Sequence, residues 1–113
     1  MDKKNKDNLK ELQKVSLGPL EKIPVGQGFC FIVANQEIAV FRPRCGGIFA
    51  IQNRCPHRNA PLADGLVDDR SVICPYHGHK FNLHTGVGSE QGEQVKAYPV
   101  QEENGEIILE IKS

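Results

Sequence analysis

Several things are missing from this chain. Its longest apolar run covers residues 29–34, far short of the ~20 apolar residues a membrane helix needs. After Met1 the N-terminus is polar, without the apolar centre of a signal peptide. Both absences lead us to expect a cytoplasmic protein with no membrane partner. An excess of one charge is missing too. Fourteen Lys and Arg face 14 Asp and Glu, for a formal net charge of zero. That argues against a nucleic-acid binder, which carries a basic excess or patch. There is no internal repeat, no heptad and no long helical period. At 113 residues the chain can form one core. It has no room for a flavin, nicotinamide or haem domain beside it, so any redox partner is expected on another chain.

Charge is nevertheless uneven. Residues 1–14 hold five lysines and residues 90–110 hold six acids, read as a solvated tail and a solvated face. Residues 1–12 are expected to be a flexible tail, with a short helix at most around Leu9 to Leu12. Residues 13–113 are expected to form the domain.

The domain reads as β. The run at 29–34 is followed by a turn at Asn35-Gln36 and by Glu37-Ile38-Ala39-Val40-Phe41, rich in apolar and β-branched residues. Cys45-Gly46-Gly47 signals another turn, and a strand over residues 48–51 follows. Near the end, strands over residues 95–100 and 107–111 flank Asn104-Gly105, a pair that favours a type I′ hairpin turn. The class is all-β, expected as a small antiparallel sandwich of several sheets.

Residues 53–86 differ. They contain Pro56, Pro61, Pro75, Gly65, Gly78, Gly86 and all four histidines, with only short strands at Val72-Ile73 and residues 81–83. This composition suggests a loop-built site on a β scaffold. It also contains Cys55-Pro56-His57 and Cys74-Pro75-Tyr76-His77. In a chain without an export signal, such cysteines point to metal before disulfide. Two readings compete. Zinc accepts two Cys and two His, but the zinc-finger order places both cysteines before both histidines. A [2Fe–2S] centre with two cysteines on one iron and two histidines on the other takes one Cys and one His from each loop. The order here fits that arrangement directly.

The stretches CPHRNAPLADG (55–65) and CPYHGHKFNLHTG (74–86) resemble the paired cluster-binding loops of Rieske proteins, and the resemblance extends over most of residues 13–112. It implies a Rieske-type antiparallel β-sandwich with a two-loop cluster-binding subdomain. It also implies one [2Fe–2S] cluster held by Cys55, His57, Cys74 and His77, which serve as both metal and cofactor ligands. No catalytic residue is expected. Four thiolates leave an oxidised cluster dianionic, whereas two thiolates and two neutral imidazoles leave it neutral and easier to reduce. Potentials of such centres run from roughly −150 to +300 mV, against roughly −400 mV for plant-type clusters. High-potential members join the loops by a disulfide, at positions matching Ala60 and Tyr76. They also donate hydroxyl groups to the cluster sulfurs from positions matching His79 and Phe81. None of these four residues can do so here, so a potential in the lower part of the range is expected.

Among the neighbours, Pro56 and Pro75 are expected to stiffen the loops, and Gly65, Gly78 and Gly86 to allow turns or close approach. His79 and His84 are read as surface residues, Cys30 as an inert strand-core thiol and Cys45 as a turn thiol. Arg54, Arg58 and Lys80 form either a basic docking rim or scattered charge.

Segments IAVFR (38–42), Gly47, Phe49-Ala50, PLADG (61–65) and VKAYPV (95–100) resemble the small subunit of assimilatory NAD(P)H-dependent nitrite reductase. That resemblance implies a non-catalytic electron-transfer subunit beside a large flavin and siroheme subunit. The alternative is a stand-alone ferredoxin serving a ferredoxin reductase and an aromatic-ring-hydroxylating dioxygenase. A Rieske oxygenase subunit would need a second, mononuclear-iron domain, which 113 residues cannot hold.

Overall fold

The computed structural model describes residues 12–56, 59–76, 78–90 and 92–112. Ten strands lie among them: β1 (Leu12–Pro19), β2 (Gln27–Val33), β3 (Gln36–Arg42), β4 (Phe49–Gln52), β5 (Leu66–Val67), β6 (Ser71–Ile73), β7 (Lys80–Asn82), β8 (Ala97–Tyr98), β9 (Val100–Glu103) and β10 (Glu106–Lys112). They form three antiparallel sheets, ordered β1-β10-β9, β2-β3-β4-β8 and β5-β6-β7. Two short 3-10 turns, Leu20–Lys22 and Leu62–Asp64, complete the regular structure.

The apolar run in β3 explains the layering. Side chains alternate between the two faces of a strand, and in β3 the residues of both faces are buried. Ile38 and Val40 join a core with Phe31, Ala50, Ile107, Leu109 and Ile111, between the four-stranded sheet and the β1-β10-β9 sheet. Ala39 and Phe41 join a second core with Ile51, Leu62, Val72, Phe81, Leu83 and Val95, on the side of the β5-β6-β7 sheet. The four-stranded sheet is therefore a middle layer. A strand buried on both faces reads as continuous apolar sequence, and that is why 38–41 does.

Both expected hairpins form. Asn104 and Gly105 have φ of 54° and 81°, and Glu103 pairs with Glu106 across them, as in a type I′ turn. The first turn falls one residue earlier than expected. Ala34 and Asn35, at φ 52° and 63°, occupy it, and Gln36 already pairs with Val33.

The expected single strand over 95–100 is two strands. Ala97–Tyr98 pairs with β4 and Val100–Glu103 with β10. Pro99 between them lacks the N–H that would carry one ladder through, and the chain changes sheets there. Of the helix expected around Leu9 to Leu12, only Leu12 is among the described residues, and it opens β1. The rest of that expectation lies outside them.

Candidate metal centre

The two cysteine loops leave the scaffold at equivalent points. The first follows β4 and returns at Pro61, which bridges to Arg54. The second follows β6 and returns directly into β7. Each loop is a six-residue turn closed in the same way. The Cys55 N–H donates to the Ala60 carbonyl at 2.9 Å, and the Asn59 N–H donates to the Cys55 carbonyl at 2.8 Å. The Cys74 N–H donates to the His79 carbonyl at 2.7 Å, and the Gly78 N–H donates to the Cys74 carbonyl at 3.1 Å. The fifth residue of each turn has positive φ, 59° at Asn59 and 75° at Gly78. Glycine and asparagine are the residues that enter this region at least cost.

Cys55 and Cys74 are both buried and belong to the same apolar cluster, with Phe41, Leu62 and Phe81. Neither is in a disulfide. Two sulfurs outside any disulfide are thus set into one core by turns closed with the same pair of hydrogen bonds, as a pair of thiolate ligands requires. His57 and His77, the expected imidazole donors, lie outside the described residues, as does Arg58. Ala60 is fully buried while Tyr76 is 63% exposed. Phe81 is fully buried and brings no hydroxyl. Pro56 and Pro75 are exposed.

His79 is not a surface residue. It is half-buried, with Nδ1 3.0 and 3.1 Å from the two carboxylate oxygens of Glu93. His84 is exposed, as expected, and meets the Phe49 ring edge-on at 4.4 Å. Cys30 is only partly buried, on the edge strand β2. Burial pushes its thiol up from the usual value, and Glu37 adds to the shift. Cys45 is exposed in its turn, with Sγ 3.2 Å from the Asp69 carbonyl.

Both described members of the proposed basic rim have acidic neighbours. Lys80 lies 3.9 Å from Asp68. Arg54 pairs with Glu37, with Nε 2.9 Å from Oε1, while its Nη1 donates to the Asn59 carbonyl at 2.9 Å. Glu37 also accepts from the Asn53 amide at 3.0 Å. These hydrogen bonds, Asn53 first and then Arg54, hold the Glu37 carboxyl below its usual range. Asn53 is buried, and its Oδ1 accepts the Ala63 N–H at 2.9 Å. Sequence reasoning missed Glu37, Asn53 and Glu93. The one available signal was Asn53 itself, a polar residue between a buried strand and a cysteine loop.

Among the described residues, no helix is long and apolar enough to cross a membrane. A family model for the Rieske-like [2Fe–2S] domain matches residues 13–110. The ferredoxin component of naphthalene 1,2-dioxygenase/salicylate 5-hydroxylase systems from Ralstonia is 33% identical, over 82% of this chain and 90% of its own length. The 4β-methylsterol monooxygenase of Methylococcus capsulatus is 35% identical, but this chain spans only 23% of it. Among solved structures, the ferredoxin of carbazole 1,9a-dioxygenase from Nocardioides aromaticivorans superposes with a TM-score of 0.78 at 28% identity, covering 86% of this chain and 96% of that one. The E. coli protein NirD does so with a TM-score of 0.80 at 26% identity, covering 90% and 99%.

Proposed function

We propose that this chain, which belongs to the Rieske-like [2Fe–2S] domain family, delivers single electrons as the small subunit of an NAD(P)H-dependent nitrite reductase. One Rieske-type [2Fe–2S] cluster goes with the family. When bound, it supplies one-electron chemistry at a potential set by its ligands and their hydrogen bonds. The observation that carries the electron-transfer reading is the pair of buried cysteines, outside any disulfide, on turns closed by equivalent hydrogen bonds.

We assign Cys55 and Cys74 as the thiolate ligands and His57 and His77 as the imidazole ligands. The remaining residues have supporting tasks. The shared core fixes where the two sulfurs stand. Pro56 and Pro75 limit how far each turn can relax when charge changes. The buried Ala60, Leu62 and Phe81 keep water from the cysteine side. We also read residues 13–113 as the working domain, to which Leu12 adds the first position of β1.

The nitrite reductase reading is supported by the likeness to NirD over 90% of this chain, and by the PLADG and VKAYPV resemblances. The IAVFR segment counts for less, because burial on both faces already accounts for its apolar residues. A second reading has its own support. The 33% identity to a dioxygenase ferredoxin component, over 90% of that protein's length, favours a ferredoxin serving an oxygenase.

Purified holoprotein should be added separately to a siroheme nitrite reductase large subunit with NADH, and to a ferredoxin reductase with a ring-hydroxylating oxygenase. Faster nitrite consumption supports the first reading, and turnover in the second mixture replaces it. Cys55→Ser and Cys74→Ser variants that still hold two irons per chain would remove the ligand assignment.

A further inference from the structure

The two cysteine turns share their closing hydrogen bonds and a positive φ at the fifth residue, yet different side chains fasten them to the fold. On the first turn, Arg54 is the fastener. It stands immediately before Cys55. Its Nε and Nη2 reach the Glu37 carboxylate on β3 at 2.9 and 3.4 Å. Its Nη1 reaches forward to the carbonyl of Asn59 at 2.9 Å. One planar guanidinium thus ties the fifth residue of the turn to the middle sheet, a fork geometry that lysine cannot reproduce. Glu37 is itself anchored by Asn53. Asn53 is buried, and its carbonyl accepts the Leu62 N–H where the loop rejoins the core.

On the second turn the fastener is His79. Its carbonyl accepts the Cys74 N–H, while its ring faces both oxygens of Glu93. Glu93 has a fixed backbone, since its carbonyl accepts the Gly88 N–H at 2.9 Å. Gly88 in turn bridges to Phe81 of β7. Each turn therefore ends on one carboxylate distant in sequence from its cysteine.

We infer that Glu37 and Glu93 are positioning residues for the metal centre, each holding one cysteine turn in place through a single intermediary side chain. The inference rests on the assignment of Cys55 and Cys74 as ligands. Apart from its cysteine, each turn exposes most of its described residues, so little packing holds it. Outer partners of metal ligands typically change affinity by about 10–100-fold when removed, and these carboxylates act on ligand-bearing backbone in the same sense.

The test uses the full chain carrying its cluster, in four forms: wild type, Glu37→Gln, Glu93→Ala and Arg54→Lys. Cluster loss to a chelator is followed by visible absorbance, the reduced centre by electron paramagnetic resonance, and backbone opening by amide exchange, all at one pH. Glu37→Gln and Glu93→Ala should each lose the cluster about tenfold faster and shift the resonance of the reduced centre. Exchange should rise locally. Glu37→Gln and Arg54→Lys should expose Cys55 and Asn59 while sparing Cys74 and Gly78, and Glu93→Ala should do the reverse. Unchanged loss rates with unchanged spectra overturn the inference. So does exchange that rises equally through β3 and β10, which would mean general destabilisation. A wild-type protein that binds no cluster would sink the ligand assignment instead. Exchange at the two turns would then still decide whether the carboxylates hold them.

Discussion

Gly86 closes the loop leaving β7, and its replacement by alanine measures how closely that loop is bound to the rest of the domain. Its N–H donates to the Asn82 carbonyl at 2.8 Å, and its carbonyl accepts the Val95 N–H at 2.8 Å. Its φ is +81°, and an added Cβ would stand 2.0 Å from the Val95 carbonyl oxygen. Gly105 provides a matched control. It too has φ +81°, but an added Cβ there meets nothing within 4 Å. Both alanine variants incur the left-handed backbone cost, about 1 kcal/mol. Only Gly86→Ala must also displace a backbone carbonyl. That forfeits at least one of two buried hydrogen bonds, for about 2 kcal/mol more. The expected losses are about 3 kcal/mol for Gly86→Ala and about 1 kcal/mol for Gly105→Ala. Against a total stability of about 5–15 kcal/mol the first is severe. For a domain of this size it corresponds to roughly 12 °C in Tm, against roughly 4 °C for the control. Thermal unfolding of the holoproteins, followed by circular dichroism at one scan rate, gives the comparison. Equal shifts for the two variants would show that the loop gives way freely at Val95, and would refute the close-packing argument.

Ala34 sits at φ 52° in a two-residue turn, so Ala34→Gly should stabilise the domain by up to about 1 kcal/mol, and a urea midpoint that falls would contradict this. Glu37 has a depressed folded pKa. Its contribution to stability is therefore present above the unfolded carboxylate value, about 4.3, and is lost as pH falls through the lower folded value. Glu37→Gln should flatten that acid limb, and parallel stability–pH profiles would exclude the linkage. Burial raises the Cys30 thiol while Cys45 is exposed. Iodoacetamide at pH 8 should therefore label Cys45 before Cys30, and mass spectrometry showing equal rates would reverse that ranking. Redox titration should place the midpoint in the lower part of the Rieske range, and a value above roughly +200 mV would contradict it. The basis is that the position matching one family hydroxyl donor is the buried Phe81, and at the other the His79 ring faces Glu93.

The sequence was most legible where one local rule acted alone. Asn104-Gly105 announced its hairpin because only residues tolerant of positive φ suit that turn. Residues 38–41 announced a buried strand because both faces meet a core. Legibility failed where two rules competed. Residues 95–100 have strand composition throughout, yet Pro99 breaks the ladder and sends the halves to different sheets. The cysteine turns were visible as motifs, but their fasteners were not. Arg54 reads as rim charge until Glu37, seventeen positions away, is seen to hold it. His79 reads as surface until Glu93 arrives from the far side of the loop that follows β7. Such pairs depend on which strands become neighbours, and no short window of sequence contains that.

The two cores divide the work of the domain. The core between the middle sheet and β1-β10-β9 contains no cysteine and no residue of the loops, and it serves to fix the middle sheet. The second core contains Ala39, Phe41 and Ile51 from that sheet together with both Cys55 and Cys74. The same strand that locks the sandwich, β3, therefore also forms the floor under the sulfurs and carries Glu37 at its start. Side chains in such a core are close-packed and tolerate little movement. The sulfur positions are consequently set by sheet packing, while Arg54 holds the exposed Asn59 of the first turn and the His79 carbonyl closes the second on the Cys74 N–H. Changes to the floor, such as Phe41→Ala, should then loosen both cysteine turns together. Changes to a fastener should loosen only one.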